Sequence, residues 1–496
     1  MTFSATRREF LIGGAAAGAG LLSSAACRPS PLFGVETRAH VEPFEPPRGE
    51  SIDLVSHVLN RCTFGARPGD RESLLRLGAT ADAAVNAWIE AQLHPERTGD
   101  EAPAQALRRF AHLMEPAGEL YEYKPRVLLR DFVCATVLRA VLSRRQLEEV
   151  MVELWTDHFN IDISKGDCAW LKVADDHEVI RRHALGRFRD LLRASATSPA
   201  MLWYLDGRVN RYARAGDRPN ENYARELLEL HTVGVHGGYT QRDVMEVARG
   251  LTGWSVRPKR GFGKARVEFH SHEHDDGAKV VLGQRLPAGG GEADLDRVLD
   301  IVVSHPATAR HIAGKLCRRF LADEPGEAAV AAVAETFTRT QGDIRATLRA
   351  VFARPEFRED AVRGAKLKRP FHYVVSALRA TDAVTDAGPR LVDFLTSMGQ
   401  APFQYPTPDG YPTDAASWRG TLVWRWKLAS ALAANQIHGT RIDVPSLQRR
   451  AGGDEALMAH VLGRRPSVRE VRAWTELGGG AAGMGLLLAS PAFQRC

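Results

Sequence analysis

The sequence predicts a mainly α-helical protein, a multi-helical globular domain with a small β insertion around residues 255–286. Two observations lead to this fold class. Apolar residues recur every three to four positions along most of the chain from Ser51 onward, which is the period of an amphipathic helix. Only the stretch from about Ser255 to Leu286 has the alternating, β-branched character of strands.

The clearest helix covers about 147–159, where apolar side chains follow the helical spacing over three turns. Similar patterns predict helices at about 54–63, 69–77, 80–93, 125–142, 187–197, 221–233, 241–250, 293–304, 306–321, 327–339, 342–354, 368–382, 418–436 and 454–463. Capping residues support some of these starts, since Asn220 precedes one helix and Thr240 with Asp243 forms a capping-box pattern.

In the predicted β insertion, residues 266–269 and 279–283 have the composition of a small hairpin or sheet. The glycine-rich segment 287–291 then closes the insertion as a loop.

Composition excludes several classes of protein. The 496 residues include 44% hydrophobic and 25% charged residues, which argues against a disordered chain and a polytopic membrane protein. The 66 basic and 60 acidic residues leave a net charge of only +6, so nucleic acid is not an expected partner.

The N-terminus has the layout of an export signal. Arg7 and Arg8 precede a glycine-diluted apolar run that ends at Ala26, a pattern typical of the bacterial twin-arginine route. We expect residues 1–26 to be a signal peptide, residues 27–50 a proline-rich linker, and residues 51–496 a single helical domain. The protein would then be exported to the periplasm or cell envelope, with a lipid on Cys27 as the alternative to simple cleavage and the only other membrane attachment.

The densest polar block is 220–234. On a helix, Asn222, Glu226 and Glu229 would share one face at i, i+4 and i+7, while Arg225 could pair with Glu221. Two carboxylates beside an amide could divide acid and base roles or hold a metal. A solvated charged face with an internal salt bridge is the alternative.

Histidines supply a second set of candidates. His158 lies on the apolar stripe of its helix and should point inward, where burial would lower its pKa and keep it neutral. It could then be a ligand, a base, or simply a hydrogen-bonded core residue. His183 and the run His270, His272 and His274, which Asp275 follows, are further candidates, because three histidines at alternating positions of a strand face one way and imidazole suits transition metals. A polar loop is the alternative for this run.

Motifs of the common hydrolases are absent from the sequence: there is no GxSxG, P-loop, HExxH or strand-linked GxGxxG pattern. Serine-esterase, nucleotide-hydrolase and thermolysin-like activities therefore have no motif in their favour.

Several blocks together resemble a bacterial family catalogued as "domain of unknown function 1800", over about residues 52–495. The most specific is 219–240; the others are 60–65, 155–159, 194–206, 251–254, 274–279, 305–309, 398–403 and 490–493. The resemblance implies an exported protein of uncharacterised activity, whose genes often neighbour those of a sulfatase-like exported family. It also implies that His158, His183, Asn222, Glu226 and Glu229, with His274 and Asp275, belong to family motifs.

Two functional hypotheses follow. In the first, the protein is a metal-dependent hydrolase of an envelope or extracellular polymer or ester, with catalytic residues Glu226, Glu229, Arg225 and Asn222 and a metal held by His158, His183, His274 and Asp275. In the second, it is a non-catalytic envelope protein that binds polysaccharide or a partner, such as the sulfatase-like protein that the resemblance implies.

Overall fold

The computed structural model of the chain describes residues 42–214 and 216–496. All of these residues belong to one compact unit that is dominated by helices, which confirms the predicted fold class. The predicted signal peptide, Cys27 and most of the proline-rich linker lie outside the described residues.

The described residues form 24 α-helices, numbered here in chain order. The first twelve are α1 (Leu54–Arg61), α2 (Asp70–Leu75), α3 (Ala81–Leu93), α4 (Glu101–Ala106), α5 (Ala117–Leu120), α6 (Pro125–Leu142), α7 (Gln146–His158), α8 (Cys168–Asp175), α9 (Phe188–Ala196), α10 (Pro199–Tyr204), α11 (Asn222–Glu226) and α12 (Gln241–Gly250). The remaining twelve are α13 (Ala293–Ser304), α14 (Pro306–Phe320), α15 (Glu327–Arg339), α16 (Ile344–Phe352), α17 (Pro355–Arg358), α18 (Pro370–Ala380), α19 (Pro389–Ser397), α20 (Leu422–Ala433), α21 (Val444–Ala451), α22 (Asp454–Leu462), α23 (Val468–Glu476) and α24 (Gly480–Ala489).

Two helix starts show why sequence signals located them well. Thr240 accepts a hydrogen bond from the backbone of Asp243, whose side chain accepts from Thr240 in return, so the predicted capping box is present. Asn220 lies just before α11 as expected, and its side-chain oxygen accepts from the backbone N–H of Asn222 at 2.9 Å, although the N-cap residue is Glu221.

The β structure consists of three separate two-stranded antiparallel sheets within the described residues. Strand β1 (Trp254–Val256) pairs with β2 (Val267–Phe269), and β3 (Lys279–Val281) pairs with β4 (Gln284–Leu286). The two segments predicted as a small hairpin or sheet therefore do not pair with each other: β2 pairs back with β1, and β3 pairs with β4 across the turn at Leu282 and Gly283. The third sheet, β5 (Val384–Thr385) with β6 (Thr440–Arg441), was not predicted, since two-residue strands leave no alternation to read.

The core is built around α7 and α18. All eleven residues of α18 are buried, which explains its nearly continuous apolar sequence. Trp155 on α7 is fully buried and donates a hydrogen bond to the carbonyl oxygen of Ala184 at 2.9 Å. The long segment between α19 and α20 lies against the C-terminal end of α7, where Gly410 at φ +74° sits so close to the carbonyl oxygen of Asp157 that a Cβ would clash.

Two further features concern the described residues only. Their five cysteines are all buried and none forms a disulfide. None of their helices combines the length and apolar character that crossing a bilayer requires.

Candidate functional site

A cavity of about 280 Å³ lies beside the C-terminal end of α7. Its walls come from α7, from α14, from the segment that leads into α18, and from the loop before α20. Five cationic side chains line this cationic cavity, against three carboxylate side chains, and Cys496 lies in the wall as well. The cations are Lys315, Arg318, Arg319, Lys366 and Arg369, and the carboxylates are Glu153, Asp157 and Asp409.

Helix α14 supplies the most unusual pair of charges. It begins at Pro306 after His305, whose ring nitrogen accepts from the backbone N–H of Ala307. Lys315 and Arg318 are three residues apart and thus on one face. Among the described residues, neither has a carboxylate oxygen within 4.0 Å, although each is only half-exposed. Two adjacent cations without a carboxylate repel each other, and an anion entering the cavity would relieve that repulsion.

Lys315 donates a hydrogen bond from Nζ to Nδ1 of His158 at 2.7 Å. On its other side, His158 donates from Nε2 to the carbonyl oxygen of His231 at 3.1 Å, which fixes the neutral tautomer. Burial, followed by the charge of Lys315, holds the pKa of His158 well below its usual value. Burial and the nearby Arg318 lower the pKa of Lys315 to about 8. Lys315 can therefore gain or lose a proton near neutral pH.

Two more histidines surround His158. The ring centres of His231 and His311 lie 6.0 and 6.2 Å from that of His158. Burial lowers the pKa of His231 to about 3 and that of His311 to about 4, so both are neutral at pH 7. His311 donates to the carbonyl oxygen of Leu230, whereas the ring nitrogens of His231 have no hydrogen-bond partner among the described residues.

His231 reaches this position through a change of helix type. The chain of α11 continues as a π-helical turn over Leu227–His231, and such wider turns recur at functional sites. The turn leaves the His231 carbonyl free of the helix ladder, where it accepts from His158.

A carboxylate pair closes the cavity on the α7 side. Arg369 binds Glu153 at 2.6 Å and Asp157 at 2.5 Å, so the two acids share one guanidinium, and burial raises the pKa of Asp157. Asp409, in the loop that packs on α7 through Gly410, has no basic side chain within 4.0 Å among the described residues. Its charge acts on both Lys315 and Glu226.

Two polar atoms at the cavity lack a hydrogen-bond partner in the described part of the chain: Nη2 of Arg319 and Nε2 of His372. His372 is only 4% exposed, and an unpaired buried polar atom is costly. A ligand that occupies the cavity could satisfy either atom.

The predicted catalytic block lies close to the cavity. Glu226 is half-buried, and burial followed by the charge of Glu229 raises its pKa. Arg225 pairs with Glu221 at 3.0 Å and approaches Glu229 at 3.5 Å, which realises the predicted internal salt bridge. Asn222 is exposed and donates to Asp206 at 3.3 Å. The block therefore contacts a cavity residue through the His231 carbonyl, and the charge of Asp409 acts on Glu226, while Arg225 and Asn222 have other partners.

His274 and Asp275 belong to a different cluster, beside the sheets at 254–286. Asp294 is fully buried and binds Lys279 at 2.7 Å and His274 at 3.4 Å. Asp275 receives two hydrogen bonds from Arg249, at 2.7 and 3.1 Å, which hold its pKa low although burial alone would raise it. This buried ionic cluster ties the β structure to α12 and α13.

His183 contacts neither group: it is half-buried, and its pKa is lowered by burial and by the charge of Arg182. The four predicted metal ligands thus have separate surroundings, with His158 in the cationic cavity and His274 and Asp275 in the ionic cluster. Within residues 42–214 and 216–496, no group of three His, Cys, Asp or Glu side chains has a geometry that could hold a metal ion.

Sequence reasoning missed most of the residues that surround His158. Asp157 and His231 lie within the two candidate blocks of the sequence. Asp157 directly precedes His158, and His231 is two positions after Glu229. The basic face formed by Lys315, Arg318 and Arg319 was also visible as i, i+3 and i+4 spacing on a predicted helix. Only folding shows that this face meets α7.

Fold and site together define a mainly helical protein with a cationic cavity beside neutral histidines. The model of a family described as "protein of unknown function (DUF1800)" matches residues 57–495, so the chain belongs to that family, as the sequence resemblance indicated. No curated protein and no solved structure matches the chain.

Proposed function

We propose that this chain is an exported cell-envelope protein that draws an anionic polymer or ester into the cationic cavity and hydrolyses it. The observation that carries the proposal is the pair Lys315 and Arg318, two cations without a carboxylate partner in the described structure, beside the neutral His158. Placing such a pair in a cavity disfavours the empty state and favours a bound anion.

The cavity residues can be assigned roles in ester hydrolysis. Arg318 and Arg319 would hold the negative charge of the substrate and of the developing oxyanion. Lys315 would give a proton to the leaving oxygen, since a pKa of about 8 keeps it mostly protonated at pH 7 yet able to release the proton. Asp409 would accept the proton of the attacking water, and Glu226 would act on it through its charge.

The divalent metal stays a prediction, and no step above passes through it. Elemental analysis of protein purified through its own export route tests it directly. A metal content that falls in His158→Ala but not in His183→Ala would place a metal in the cavity. An occupied structural or catalytic site holds about one metal ion per chain. A content below roughly 0.2 metal ions per chain would therefore remove the metal from the proposal.

The proposal is tested with esterified and de-esterified forms of an acidic polysaccharide and with a neutral polymer carrying the same ester. We expect release of acid from the anionic ester only, and loss of that release in Lys315→Met and Asp409→Asn. Arg310→Met is the matched control, because Arg310 is an exposed cation on the same helix that pairs with Glu327. Equal turnover of the neutral ester would contradict the proposal.

Binding without turnover is the second candidate function. The observation in its favour is that both ring nitrogens of His158 are already engaged within the fold, by Lys315 and by the His231 carbonyl. The protein would then retain an acidic polysaccharide, with the sulfatase-like partner as the enzyme. Tight binding of the polymer that is lost in Lys315→Met, without any acid release, would favour this candidate.

A further inference from the structure

Two helices that pack against each other, α20 and α24, expose several large apolar side chains. Helix α20 presents Val423 at 56%, Trp426 at 51%, Leu422 at 39% and Trp424 at 38% exposure, and the neighbouring α24 presents Leu486 at 42%. We call these five residues the tryptophan face. Large exposed apolar patches mark places where another surface is bound.

The helices that carry this face are apolar on their outer as well as their inner sides. The sequence of α24, GAAGMGLLLA, has no charged residue, and α20 contributes Leu428, Ala429 and Leu432 to the core while exposing its tryptophans. Helices with this character are normally covered all round. Between α20, α23 and α24 lies a groove of about 960 Å³ with Trp426 and Leu486 in its walls.

Together, the two helices that carry the tryptophan face are basic, although Glu470 of α23 lies in the groove wall, where it pairs with Arg464. Residues 416–433 and 480–489 contain no Asp or Glu, whereas Arg419 and Lys427 are exposed. The Lys427 ammonium lies 4.2 Å from the ring centre of Trp424. Tryptophan with a neighbouring cation suits the boundary between water and acyl chains, where the indole ring is half solvated and lipid head groups are anionic.

The N-terminal chain joins the body next to these helices. The backbone of Glu42 accepts a hydrogen bond from Arg450 on α21, and Phe44 packs edge-on against His460 on α22. Helices α21 and α22 both pack against α24, and Met458 of α22 lines the groove. The described chain therefore begins beside the helices that form the groove.

We infer that the tryptophan face binds peripherally to the surface of an anionic lipid bilayer. Trp424 and Trp426 enter the head-group region, Leu422, Val423 and Leu486 cover the acyl boundary, and Arg419 and Lys427 contact anionic head groups. This inference does not depend on the cationic cavity, and it adds a membrane contact made by the folded domain itself.

The test is quenching of tryptophan fluorescence in the full chain by brominated lipids. Vesicles of phosphatidylcholine with about 30% phosphatidylglycerol give the anionic surface, and pure phosphatidylcholine gives the neutral one. We expect quenching on anionic vesicles that is mostly lost in the Trp424→Ser/Trp426→Ser variant. Lys427→Glu should weaken vesicle affinity about fivefold or more, since each basic residue near such a surface contributes on that order.

Phe262→Ser is the matched control, because Phe262 is 93% exposed outside the tryptophan face. It should leave the quenching unchanged. The N-terminal apolar run could itself bind vesicles, so sedimentation would not isolate binding by the tryptophan face. Quenching of tryptophan fluorescence is therefore the deciding measurement. Unquenched wild-type tryptophans, or equal quenching in the double variant, would overturn the inference. So would a dimer by light scattering that the double variant abolishes, since the face would then bind a second copy.

Discussion

The cationic cavity and the ionic cluster around Asp294 both combine buried cations with histidine, yet they treat charge in opposite ways. In the ionic cluster, Lys279 is 1% exposed and lies 2.7 Å from Asp294, which is fully buried. In the cavity, Lys315 faces a neutral imidazole and has Arg318 as its neighbour. The first arrangement is complete without a ligand, whereas the second leaves positive charge for something else to neutralise.

This difference separates a structural role from a functional one. Both clusters lie within the part of the chain that the family model matches, so family membership alone does not distinguish them. A buried ion pair that satisfies itself fastens elements together. Cations that the fold leaves uncompensated destabilise it, and such groups are typical of binding and active sites. Substitutions should therefore affect stability in one cluster and ligand affinity in the other.

The largest effect should come from breaking the ionic cluster. Asp294→Asn leaves the Lys279 ammonium buried without its carboxylate, which should lower the free energy of unfolding by about 3–5 kcal/mol. Denaturant unfolding measures this loss. Lys279→Met/Asp294→Leu, which removes both charges, should recover much of the stability. A single variant as stable as the wild type would show that this cluster is not structural.

Removing the cavity cation should have the opposite pattern. Lys315→Met should weaken binding of an acidic polysaccharide roughly ten- to a hundredfold, because a hydrogen bond to a charged group contributes about 1.5–3 kcal/mol. Its unfolding free energy should fall much less than that of Asp294→Asn, since the substitution orphans only the buried Nδ1 of His158 and leaves no charge buried without its partner. Calorimetric titration and denaturant unfolding of the same sample separate the two. If Arg310→Met weakened binding equally, the effect would belong to net charge and not to the cavity.

The sequence predicted the helices better than the site, for a physical reason. Helical periodicity is a local property, so the bounds of α7 and the capping box at Thr240 followed from neighbouring residues. The contact between Lys315 and His158 joins residues 157 positions apart, and no local pattern encodes it. Burial of His158 was predictable from its apolar stripe, but its partners were not. His274 and Asp275 were singled out by chemistry that the ionic cluster shares with metal sites.

The pH dependence of stability should show the effect of the histidines that burial keeps neutral. His311 has a pKa of about 4, lowered by burial and then by Lys315, against about 6.5 in an unfolded chain. Below pH 6.5 the unfolded state binds more protons, so stability should fall with falling pH by up to about 1.4 kcal/mol per pH unit for this group. His311→Gln should flatten the slope between pH 6.5 and 4 in urea unfolding.

His460→Gln is the informative control for the acid effect. Burial lowers the pKa of His460 to about 4 as well, but this residue lies on α22 outside the cationic cavity. It should flatten the pH slope in the same way while leaving binding of the acidic polysaccharide unchanged. A loss of binding in this variant would mean that the cavity responds to distant changes in the fold, and the comparison would lose its basis.

The smallest effect should come from the exposed part of the polar block. Arg225 and Glu221 are 38% and 31% exposed, and pairs at such positions contribute at most about 1 kcal/mol to stability. Arg225→Gln should therefore change unfolding little. If the part of the block around Arg225 is structural, Arg225→Gln should also leave anion affinity and ester hydrolysis unchanged. Glu226→Gln should instead lower hydrolysis, because the charges of Glu226 and Asp409 act on each other. Equal losses in both variants would extend the site beyond the cavity to the whole predicted catalytic block.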